Sequence, residues 1–149
     1  MFGINIPGRS IADRLALKAQ MNTVYSSYRP YGSSIIFAAH DNMVGPSLWM
    51  VGPAGDCFQY YGCSSGRGRQ LVRNEIEKTN FRELTVQEAL PKIAKMLLKA
   101  QEEMKDKKQE IELGILCEET KWVHKILDRQ TVDGLTATAK AEIEAEEDE

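Results

Sequence analysis

The stretch from Tyr25 to Gln70 constrains this chain more than any other. Any helix before it must stop at Arg29-Pro30, because the residue preceding a proline is pushed out of the α region. Gly32 then allows a tight turn. Three short apolar runs follow, over 33–40, 48–51 and 56–61. They are cut by the turn formers of Asp41–Pro46 and by Gly52-Pro53-Ala54-Gly55. Strands at this spacing predict an antiparallel meander.

On either side the pattern is helical. Ser10 followed by Asp13 predicts a helix start of capping-box type. Ile11, Leu15 and Ala19 form one apolar row behind it, and Leu17, Met21, Val24 and Tyr28 a second, so a broad buried face is expected. Gly62 to Gly68 leads into a helix through about Thr79, with Leu71, Val72 and Ile76 on one side. Thr85 and Glu88 make a full capping box. The helix behind it predicts a single core stripe of Val86, Leu90, Ile93, Leu97, Ala100 and Met104. Pro91 inside this helix should cost a hydrogen bond and kink it. Glu110 to Cys117 alternates, with Ile111, Leu113, Ile115 and Cys117 on one face. Trp122 to Leu127 reads as its returning strand, and a last helix is expected from Thr131 to about Glu144.

A chain of 149 residues can bury a substantial core, and one domain is the first expectation. Hydrophobic content of 42% with 28% charged residues is that of an ordinary globular protein. No apolar run is long enough to cross a membrane. The N-terminus lacks the basic and apolar regions of a secretory signal. The net charge of −3 comes from the end: Glu142, Glu144, Glu146, Glu147, Asp148 and Glu149 crowd into the last nine residues. Such a segment repels itself, so 141–149 is expected to fray into a disordered acidic tail that adds little to the fold, while 1–140 carries the folded domain.

The residues that could do chemistry are few. Cys57, Cys63 and Cys117 are odd in number and lack Cys-x-x-Cys spacing, which argues against a disulfide framework and a zinc site. Inert, buried strand cysteines are expected. His40 and His124 are the only histidines, each alone on a strand or its end, with no cluster at metal-ligand spacing. Gly62-Cys63-Ser64-Ser65-Gly66-Arg67-Gly68-Arg69-Gln70 follows a strand and opens a helix, the context of a phosphate loop. It lacks both the Gly-Lys-Ser/Thr ending and the Gly-x-Gly-x-x-Gly spacing. Its glycines are therefore expected to let strand and helix pack closely. Arg67, Arg69 and Arg73 are expected to pair with acids rather than nucleic acid, because no wider basic face accompanies them. No Gly-x-Ser-x-Gly elbow marks a serine hydrolase. Trp49, Phe58, Tyr60 and Tyr61 read as strand packing. The residues thus nominate no catalytic, cofactor-binding or metal site, and no cofactor.

Arg29-Pro30-Tyr31-Gly32, Pro53-Ala54-Gly55 and Gly62-x-x-x-Gly66-x-Gly68-x-Gln70, in this order, resemble the second half of an alpha-type subunit of the 20S proteasome. The resemblance starts with Phe2 to Pro7 and Ile11-Ala12-Asp13-Arg14 and continues to the acidic end. Glu75-Ile76-Glu77-Lys78, Lys105-Asp106-Lys107, Glu110-Ile111-Glu112-Leu113 and that end resemble the branch called alpha type three. It implies an α+β fold, the four-layer αββα sandwich of the N-terminal-nucleophile hydrolases, here lacking roughly the N-terminal third to half. The gate segment, the first outer helix and the lysine-lined pocket for regulatory tails belong to that absent part.

The implied role is that of a non-catalytic subunit of the alpha ring, in cytoplasm and nucleus, supporting proteasomal protein degradation. Its implied partners are other alpha and beta subunits and, through the full ring, the regulatory particle, with neither nucleic acid nor membrane. Two other readings stay open. A catalytic beta-type threonine peptidase needs a nucleophile freed at the N-terminus, whereas Thr23 lies within a predicted helix. A free-standing interaction protein would use the strand edges and apolar faces that half a sandwich leaves open.

Overall fold

The computed structural model describes residues 6–103 and 110–147. The chain divides into two compact units, Met1–Gly66 and Arg67–Glu149. Helices with two antiparallel sheets, one of three strands and one of two, give it α+β content, as expected.

The first unit holds helix α1 (Gly8–Val24) and strands β1 (Ile35–Asp41), β2 (Gly45–Val51) and β3 (Cys57–Tyr60). The strands pair antiparallel in the order β1-β2-β3, which is the expected meander. Register places Phe37, Ala39, Ser47, Trp49, Val51 and Cys57 on one face. Ile36, Leu48, Met50, Phe58 and Tyr60 lie on the other. α1 covers the first face at close range. A Cβ on Gly8 would lie 2.9 Å from Ala39 Cβ, Ser47 Oγ and Trp49 Nε1. At Gly55, with φ +91°, a Cβ would come within 2.8 Å of the Ala16 carbonyl oxygen. The absence of a Cβ at these two points, with buried Ala12 and Ala19, lets helix and sheet meet almost backbone to backbone. Trp49 is buried there, donating Nε1–H to Ser47 Oγ at 3.0 Å, and Ser47 donates to the Ala39 carbonyl. The Arg9 guanidinium stands 5.8 Å from the Trp49 ring centroid, a cation–π distance.

Two expectations for α1 are corrected. The helix starts at Gly8, because the Pro7 carbonyl accepts from Ser10 and Ile11 N–H and Pro7 (φ −56°, ψ 140°) serves as the cap. Ser10 lies inside the first turn, and Asp13 accepts instead from Arg9 Nε at 2.9 Å. The buried face is Gly8, Ala12 and Ala19, flanked by half-buried Ile11, Leu15 and Ala16. The row Leu17, Met21, Val24 and Tyr28 is exposed. Small residues win the sheet-facing side because the approach is too close for large ones.

The second unit contains helices α2 (Arg69–Lys78) and α3 (Val86–Glu103), the two-residue strands β4 (Gly114–Ile115) and β5 (Lys125–Ile126), and helix α4 (Arg129–Glu147). The capping box of α3 forms as expected. Thr85 N–H donates to Glu88 Oε2 at 2.8 Å, and Glu88 N–H donates to Thr85 Oγ1 at 3.3 Å. The bond from Thr85 N–H, with a second from Thr85 Oγ1–H to the same oxygen at 2.7 Å, holds the Glu88 carboxyl below the usual range. The helix continues through Pro91. Its core stripe is turned from the expected one. Ala94 and Leu98 are buried against Ala139 and Ile143 of α4, while Met96 and Ala100 are buried on another side. Leu90, Ile93 and Leu97 are half-buried, and Val86 is exposed. α3 is packed by both α2 and α4, so no single stripe can serve both neighbours. Met104 and Lys105-Asp106-Lys107 lie outside the described residues.

The alternation of 110–117 survives as burial of Leu113 and Cys117, but the ladder shrinks to Gly114↔Ile126 and Ile115↔Lys125. The turn from Cys117 to Trp122 closes through Trp122 N–H to the Cys117 carbonyl at 2.9 Å. It forces Lys121 and Trp122 to φ 53° and 59°, values disfavoured for side-chain-bearing residues. α4 begins at Arg129 rather than Thr131, because Asp128 caps it: Thr131 N–H and Oγ1–H both donate to its carboxylate.

The acidic end differs from its expectation. Residues 141–147 continue α4, and Ile143 is 5% exposed in the α3–α4 core. Lys95 Nζ donates to Glu146 at 2.7 Å and to Glu142 at 3.3 Å, and Lys99 donates to Glu146 at 2.8 Å. Repulsion among the acids is offset by two lysines on the facing helix. Asp148 and Glu149 lie outside the described residues.

Candidate functional site

The residues with chemical potential are dispersed. Thr23 lies in the last turn of α1, and its hydroxyl donates to the Gln20 carbonyl at 2.7 Å. A threonine so placed is a helix surface group and not a terminal nucleophile. His40 sits on β1 opposite Pro46, and His124 precedes β5 with Nε2 close over Gly114. Among the described residues, no group of three or more His, Cys, Asp or Glu is placed to hold a metal ion. Among them, too, no helix is long and apolar enough to cross a membrane.

The three cysteines are free thiols, but only Cys57 is on a strand. Its pKa is raised, first by burial and then by the Asp13 carboxylate, against a smaller opposing pull from Arg9. Burial alone raises Cys63. Thiols held protonated are poor nucleophiles. Cys117 is buried in its turn, where its N–H donates to Thr120 Oγ1 at 3.1 Å.

In the glycine-rich stretch the expected role of the glycines is corrected. A Cβ on Gly66 would meet nothing within 4 Å, so close packing is not what glycine supplies there. Gly66 and Gly68 instead adopt φ 96° and 75°, and Gly68 caps α2 in the left-handed region. Close approaches occur instead at Gly8, Gly52, Gly55 and Gly114. Arg73 pairs with Glu77 at 3.0 Å along α2, as expected of a surface cation. Of the aromatics, Trp49 is buried, whereas Phe58 is exposed and meets Tyr60 edge to face, with ring centroids 6.5 Å apart.

Two features escaped the reading of the residues. The Lys95/Lys99–Glu142/Glu146 cluster was signalled only by like charges spaced four apart on each of two helices. The other is the hairpin tip at Met43-Val44, where both side chains are exposed.

Comparison with known proteins identifies the family. The chain belongs to the proteasome subunit family, whose pattern it matches over residues 1–116. Within the family it is similar to alpha-type members. It is 38% identical over 143 residues to proteasome subunit alpha type-3 of Dictyostelium discoideum, covering 96% of this chain and 57% of the relative. The alpha type-3 subunit of Acanthamoeba castellanii is 35% identical over 147 residues, covering 99% and 58%. The probable subunit alpha type-7 of Schizosaccharomyces pombe is 37% identical over 148 residues, with the same coverage. The chain thus spans a little over half the length of these relatives.

Proposed function

We propose that this chain is a non-catalytic subunit of the alpha ring of a 20S proteasome, packing against alpha and beta subunits around a chamber in which others hydrolyse protein. The observation that carries the reading is 35–38% identity to alpha-type subunits in alignments that cover 96–99% of the chain. Thr23, bonded within α1, and the protonated thiols of Cys57 and Cys63 support a role without catalysis. On this reading the fold is a four-layer αββα sandwich. Residues 1–140 form the subunit body, and the acidic end is attached to it through Ile143 and Glu146. The subunit acts in cytoplasm and nucleus without a cofactor, meets the regulatory particle through the ring, and binds neither nucleic acid nor membrane.

A second reading, a free-standing interaction protein, draws on exposed apolar residues at Ile36, Phe58, Leu17, Val24 and Tyr28. Native gel electrophoresis of cell extract separates the two. Co-migration of the chain with alpha and beta subunits supports the subunit role. A chain found only outside proteasome particles overturns it.

A further inference from the structure

We draw no further inference here: the strongest candidate, the face of the β1-β2-β3 sheet turned away from α1, where Ile36 and Phe58 are exposed beside half-buried Leu48, Met50 and Tyr60, carries no proposal because nothing in the structure shows what covers it.

Discussion

Replacing Ile143 by Ala probes the point where the charge pattern and the structure disagree. Ile143 packs with Ala94, Leu98 and Ala139, with half-buried Ile111 and Leu135 around them. The substitution removes three buried carbons, and at about 0.8 kcal/mol each the transfer loss is roughly 2.4 kcal/mol. A residual cavity adds to this, within the roughly 2–5 kcal/mol seen for such truncations. Alanine's better helix propensity returns no more than about 0.7 kcal/mol. The net expectation is a loss of about 2–3 kcal/mol, which for a chain of this size lowers the melting temperature by roughly 5–10 °C. Thermal unfolding followed by far-ultraviolet circular dichroism reads it directly. Glu144→Ala, one residue on and exposed, is the control and should change little. If Ile143→Ala melts together with Glu144→Ala, the acidic end is not packed and the reasoning from the α3–α4 core is wrong.

Glu146 is held at a pKa of about 2, chiefly by hydrogen bonds from Lys95 and then Lys99. A carboxylate with a depressed folded-state pKa stabilises above its ordinary value near 4.5 and loses that contribution as pH falls toward about 2. Wild type should therefore exceed Glu146→Gln in melting temperature at neutral pH and converge on it in acid, with high salt shrinking the gap; a gap independent of pH refutes this. Gly8→Ala should cost about 1–3 kcal/mol, since the new methyl meets Ala39, Ser47 and Trp49, and urea unfolding monitored by tryptophan fluorescence would reveal it. Thr85→Ala removes a cap from α3 and should cost about 1 kcal/mol, measured in the same way.

Local signals in the sequence were enough where one residue's chemistry decides the outcome. Pro30 and the turn clusters at 41–46 and 52–55 mark out the meander, since proline and glycine restrict or permit backbone angles regardless of what surrounds them. Thr85 and Glu88 satisfy each other's helix end within four residues, so that box is legible without the fold. The order of the glycine and proline motifs likewise carried the family resemblance. Tertiary structure decided which side of each helix is buried. α1 turns Ala12 and Ala19 to the sheet and leaves Leu17 and Val24 outside, because Gly8 and Gly55 draw the backbones too near for larger side chains. α3 shares its burial between two neighbours, which periodicity along one helix cannot reveal. The end of α4 was misread for the same reason. Its acids repel one another when taken alone, but Lys95 and Lys99 stand opposite them on a helix some fifty residues away, and Ile143 finds its core only when α3 is in place.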